Sequence, residues 1–192
     1  FDYFKKYTKD MLMDMPIPRY TSYGSMTVNA GTVENTGVEL EATYKFNIGN
    51  VNFAVGANAT YLQNVVTNQG PDRTGLNNVG GGMGGTVTYA ENGRPYGFFY
   101  GYVHDGIFQN QAEIDAYSYT DGDGNKVLKQ PNAKPGDIRF KDLDGKNGIN
   151  ADDRTMIGNP IPDWTFGFNL YAEWKGLDFS AFFQGTQGND IF

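Results

Sequence analysis

The chain has 192 residues, 15% of them aromatic, with 26 glycines, no cysteine and a formal charge of -7. The acidic balance argues against a nucleic-acid partner, which needs a basic face, and the lack of cysteine excludes a disulfide framework or a thiolate metal site. No helical membrane span is present, and a mean hydropathy of -0.52 does not exclude a membrane barrel, whose strands turn half their residues to a polar lumen.

In chain order, residues 1–8 read as the outer end of a strand and residues 9–35 as a long connection. No basic-plus-apolar signal segment opens the chain, and the first residues already read as mid-strand, so a piece of a longer chain is expected. Over residues 36–48, Val38, Leu40, Ala42, Tyr44, Phe46 and Ile48 share one parity. Glu39, Glu41, Thr43, Lys45 and Asn47 share the other, giving one apolar and one charged face. Residues 51–62 repeat the pattern, with Val51, Phe53, Val55, Ala57, Ala59 and Tyr61 against Asn52, Gly56, Asn58 and Thr60. Gly49 and Asn50 between them suit a tight hairpin.

Residues 63–162 form a second long connection with several internal signals. Residues 80–85 are glycine-rich without the Lys-Ser/Thr pair of a phosphate cradle, and predict a flexible loop. Tyr96, Phe98, Phe99, Tyr100 and Tyr102 are the densest aromatic cluster. Such rings at a barrel mouth are candidates for stacking on sugar faces or gripping a partner, and equally for anchoring loop packing. Asp121-Gly122-Asp123-Gly124-Asn125 predicts a hairpin turn. Residues 142–153 have the length of a twelve-residue calcium loop, with Asp142, Asp144, Asn150 and Asp153 at ligand positions 1, 3, 9 and 12. Lys146 at position 5 and Asn147 at position 6 depart from that pattern, and an Asp/Asn/Gly turn cluster bonding its own backbone is the competing reading.

Residues 163–174 and 177–187 return to alternation. Trp164, Phe166, Phe168, Leu170, Ala172 and Trp174 oppose Thr165, Gly167, Asn169 and Glu173, with Tyr171 a large ring in the polar set. Leu177, Phe179, Ala181 and Phe183 oppose Asp178, Ser180 and Gln184, after a short turn at Lys175 and Gly176. A water-soluble sandwich also alternates with period two. Strand length favours a membrane wall, which needs about 9 to 11 tilted residues where globular strands average about 5 to 6. Aromatic residues near the strand ends and the alternation of short with long connections point the same way.

An ordered set of segments then carries a resemblance. Asp2-Tyr3-Phe4, Val33-Glu34-Asn35-Thr36-Gly37-Val38-Glu39-Leu40 and Gly101-Tyr102 with Asp105-Gly106-Ile107-Phe108 come first. Lys134-Pro135-Gly136-Asp137, Ile157-Gly158-Asn159-Pro160, Pro162-Asp163 and Gly188-Asn189-Asp190-Ile191-Phe192 follow in order. Over nearly its whole length the chain resembles a C-terminal barrel segment of the SusC/RagA-type TonB-dependent outer-membrane transporters. The resemblance implies an all-β fold: antiparallel strands from the wall of a plugged, multi-pass barrel of about 22 strands in a Gram-negative outer membrane. It further implies import of glycans or peptides, a SusD-like surface lipoprotein as partner, and TonB coupling through an N-terminal region and plug domain not in this chain.

Two other function classes compete, a secreted glycan-binding β-sandwich module and a glycan-cleaving enzyme. Carboxylates are scattered, His104 is the single histidine, and no Gly-x-Ser-x-Gly elbow occurs, so no catalytic set is expected. No cofactor is required by this reading, with Ca2+ in the outer loop the one candidate.

Overall fold

The computed structural model describes residues 1–16, 25–69, 76–77, 87–146 and 148–191. The glycine-rich residues 80–85 and Asn147 lie outside these. Three long strands come first: β1 (Asp2–Pro16), β2 (Ser25–Ile48) and β3 (Val51–Asn68). Short elements follow: β4 (Leu76–Asn77), β5 (Thr88–Ala90), β6 (Phe98–Tyr102), β7 (His104–Ile107), α1 (Gln111–Ala116), β8 (Ser118–Thr120), β9 (Lys126–Leu128), β10 (Ile138–Phe140) and β11 (Arg154–Gly158). The pair β12 (Trp164–Trp174) and β13 (Leu177–Gln187) closes the order.

The five long strands form one antiparallel sheet in the order β1-β2-β3-β12-β13. A one-residue slip in any pair would carry every apolar side chain to the polar face, and the observed register keeps them together. Leu40 lies opposite Ala59, Ala59 opposite Phe166, and Phe166 opposite Gly185. The Phe166 ring covers Gly185 so closely that an added Cβ would stand 2.6 Å from it, and Phe4 covers Gly37 in the same way. An aromatic ring over a partner glycine restores contact that the missing side chain gives up. The two hairpin turns of this sheet among the described residues, β2 to β3 and β12 to β13, each have two residues, as their composition predicts. Gly49 has φ +60, placing positive φ at the first turn position, whereas Lys175 and Gly176 are both left-handed at φ 48 and 81, the pattern of a type I′ turn.

The first three strands run further than the sequence patterning indicates. Residues 9–16 and 25–35, expected within a long connection, continue β1 and β2 as paired strand, and β3 extends to Asn68. Cross-strand pairing holds these stretches: Asn64 Nδ2 donates to Asn35 Oδ1 at 2.7 Å. β1 absorbs an irregularity between Thr8 and Met11, where Asp10 takes φ 57. Apolar periodicity is blind to such an extension, because no continuous greasy face marks it.

Above the end of β12, the open edge of β3 is taken up by the outer-loop region. The Leu62 N–H donates to the Asp163 carbonyl, the Val66 N–H to the Arg94 carbonyl, and the Gly93 N–H to the Val66 carbonyl. Val33 and Val66 face each other across β2 and β3 and are buried with Ala90, with Met11 and Tyr96 packed against them. Further along, residues 121–125 turn β8 back onto β9 as their composition predicts, with Asp121 Oδ1 accepting from the Asn125 N–H at 2.7 Å. The buried apolar residues of the described chain, including Phe98, Phe108 and Ile114, thus lie in the loops or where the loops meet the upper strands. None belongs to the apolar rows of the lower wall.

Candidate functional site

The lower wall is a ladder of apolar rows on one face. Its row at the turn end is Ile48, Val51, Trp174 and Leu177, and its row at the loop end includes Tyr3, Val38, Tyr61 and Trp164. Ten residue steps of β3 separate Val51 from Tyr61. At about 3.3 Å per residue and a strand tilt of about 40° they span about 25 Å of height, the thickness of the apolar band of an outer-membrane barrel. Leu40 is 51% exposed, Phe168 40% and Phe183 62%, so the greasy set meets no second protein layer among the described residues. Tyr61 and Trp164 pack ring to ring at 5.1 Å at the upper border, where amphipathic rings suit a membrane interface. One row higher on the same face, Thr36 lies opposite Gln63, and Lys5 pairs with Glu34 at 2.8 Å.

The opposite face carries Glu39, Glu41, Asn58, Asn169, Glu173 and Asp178, with Lys45 the cation among them. Two rings of β12 and β13 share this polar face, and Phe4, opposite Gly37, joins them at its upper border. Tyr171 stands out in the sequence as an exception to the alternation. Phe182, opposite Asn169, escapes a parity reading because it stands between Ala181 and Phe183 and breaks the alternation of β13.

In the outer loop, the calcium-like segment is brought together in part. Asp142, Asp144 and Asp153 place carboxylate oxygens within 4.8 Å of one another. The loop's own donors take up those oxygens. Asp153 is fully buried and accepts from the Leu143 and Asn150 N–H groups, both at 2.8 Å. Asp142 accepts from the Gly145 N–H and from Lys129 Nζ, both at 2.6 Å, and Asp144 from the Lys146 N–H at 2.8 Å. Asn150 caps a short 3-10 turn at Ala151–Asp153, its Oδ1 accepting from the Asp152 N–H. The hydrogen-bonded Lys129 ammonium holds the Asp142 carboxyl below the usual carboxylate range. The donor set therefore builds a self-capped turn whose counter-charge is a lysine.

The five rings of the aromatic cluster are spread over several contacts. Phe98 is buried, and Tyr100 stacks on Tyr89 at 4.5 Å. Tyr102 packs on Phe140 at 5.1 Å, with the Arg154 guanidinium 5.0 Å from its ring centre. Tyr96 lies against the Val33, Val66 and Ala90 cluster, its N–H donating to Asn64 Oδ1 at 2.8 Å. Phe99 sits opposite Thr88 on one side and Gly158 on the other. His104 is exposed opposite Phe140.

No protein-family model matches the chain. Among curated proteins, TonB-dependent receptor P3 of Formosa agariphila is 31% identical over the whole chain, which covers 18% of that receptor. TonB-dependent receptor SusC of Bacteroides thetaiotaomicron is 24% identical over 99% of the chain and 17% of its own length. A structure of the RagAB peptide transporter superposes with a TM-score of 0.65 at 27% identity, covering 95% of this chain and 18% of that one. The open-open state of the RagAB peptide importer gives 0.68 at 25% identity, over 97% of this chain and 18% of that one. Over nearly its whole length the chain is similar to one segment of TonB-dependent receptors, SusC and the RagAB transporter among them. It spans less than a fifth of the length of these relatives. Within the chain, β1 and β13 are the edge strands of the five-stranded sheet.

Proposed function

We propose that this segment forms part of the wall of a Gram-negative outer-membrane importer of oligosaccharides or peptides. The reading assigns it a SusD-like surface lipoprotein as partner and energy input from TonB through parts of the receptor outside this chain. The observation that carries it is the apolar band about 25 Å tall, open on one face and backed by a charged face. A wall of this kind performs no covalent chemistry. Its apolar rows are solvated by hydrocarbon, every backbone group between them is paired strand to strand once the barrel is closed, and its polar face lines the path of the solute. The tight turns at Gly49 and Lys175 then lie at the periplasmic end and the long connections outside. Outside, Tyr100 and Tyr102 are half-buried members of the aromatic cluster and keep ring surface for a partner or solute, while buried Phe98 anchors them.

The test is uptake by cells lacking the full-length receptor, offered defined sets of oligosaccharides and peptides, together with co-purification of the receptor from its native membrane. Loss of uptake of one oligomer class, and retention of a surface lipoprotein on the receptor, are expected. A deletion strain that takes up every oligomer at the parental rate overturns the reading.

A further inference from the structure

The bilayer-side face of β1 changes character just above Tyr3. Lys5 and Tyr7 follow at intervals of two and leave the sheet on the same side as Tyr3, and Lys9, within the irregularity that begins after Thr8, brings its ammonium to the same Tyr7 ring. The Lys5 ammonium lies 5.4 Å from the centre of the Tyr7 ring and the Lys9 ammonium 5.8 Å from it, so one exposed ring gathers two cations. Glu34, opposite Tyr7, meets Lys5 at 2.8 Å and leaves the group net positive by one, two ammoniums against one carboxylate. At this height β2 and β3 carry Thr36, Gln63 and Val65, which concentrates the cations on β1.

Two residues beyond the Tyr3 row correspond to about 5 Å of height at the tilt of a barrel strand. That is headgroup depth, since headgroups add about 5 to 8 Å to each side of the hydrocarbon core. Lysines there lay their stems on the apolar wall and hold their ammoniums in the headgroup layer. Cations beside an aromatic ring, with a carboxylate within reach, fit a phosphorylated sugar. Phosphate takes charge-assisted hydrogen bonds from the ammoniums, the ring offers a face to the sugar, and the carboxylate accepts from a hydroxyl. We propose that Lys5, Tyr7 and Lys9 form a docking patch for the phosphorylated sugar headgroup of an outer-leaflet glycolipid of the lipid A class. The proposal rests on the membrane reading above.

The experiment follows thermal unfolding of the full-length receptor in detergent with added bisphosphoryl lipid A, dephosphorylated lipid A or phosphatidylglycerol at equal concentration. Bisphosphoryl lipid A is expected to raise the Tm of the wild type beyond either of the others. The double variant Lys5→Gln/Lys9→Gln needs about thirtyfold more of it for the same rise, because both attractions between ammonium and anionic headgroup are gone. Lys5→Arg/Lys9→Arg restores the response. An unchanged response in the double glutamine variant, or equal stabilisation by dephosphorylated lipid A or phosphatidylglycerol, overturns the patch. Tolerance of arginine in the apolar rows would instead sink the membrane reading itself, so the two failures are distinguishable.

Discussion

Arginine at Phe168 is the sharpest perturbation of the wall. The apolar rows from Tyr61 down to Val51 are two residues apart, so they step by about 5 Å through a band of about 25 Å. Phe168, opposite Ala57 and Phe183, is in the third row from the top, about 2.5 Å from the midplane; Leu40 and Ala59 are in the second, about 7.5 Å from it. An arginine on the lipid face costs about 2 to 4 kcal/mol at the midplane and about 0 to 1 near the interfaces. Phe168→Arg therefore loses about 2 to 4 kcal/mol and Leu40→Arg about 1 to 2. Asn169→Arg and Glu41→Arg, on the polar face, lose less than about 0.5. The assay is denaturant unfolding of the full-length receptor reconstituted in vesicles, read by tryptophan fluorescence and by heat-modifiable mobility. Equal loss at Phe168 and Asn169, or a greater loss at Leu40 than at Phe168, would falsify the assignment of faces and of depth.

The outer loop yields further expectations. Asp153→Asn weakens two charge-assisted acceptor bonds at a buried site, so hydrogen-exchange protection of residues 142–153 falls by about 1 to 3 kcal/mol while that of β12 and β13 is unchanged; a matching loss in those strands would refute the local role. Asp142, depressed by Lys129, contributes stability that is complete above its unfolded value of about 3.9 and is lost as pH falls through its lower folded value. Loop protection measured from pH 7 downward should hold to about pH 4 and then drop, and a drop near pH 6 would contradict the pairing. With Lys129 as counter-charge, chelation or addition of Ca2+ leaves the proteolysis rate of this loop unaltered, and marked protection by Ca2+ would reverse that view. Gly37→Ala drives a Cβ into the Phe4 ring and the Tyr61 carbonyl, so assembly yield should fall more than for Gly185→Ala, where the exposed Phe166 ring has room to swing; the opposite ranking would show that Phe4 moves more freely than its packing suggests.

Alternation determined most of the wall. Side chains on a strand have period two, so Val38 to Ile48, Val51 to Tyr61 and Trp164 to Trp174 mark both their strands and their two faces independently of any pairing. The two-residue turns follow from Gly49 and Gly176, because only certain residues take positive φ without strain. The tertiary structure alone decided matters where that pattern is silent. Residues 11–16 and 25–31 are strand because they pair with each other, a cooperative property of two segments with no signature in either. The ion pair of Asp142 with Lys129, thirteen residues earlier, also has no signature in the calcium-like segment itself, because Lys129 reaches it only once β9 and β10 are folded. Lys5 likewise took the side of the apolar rows only when the register of β1 on β2 assigned it one, since a lone strand has two faces but no neighbour to tell them apart.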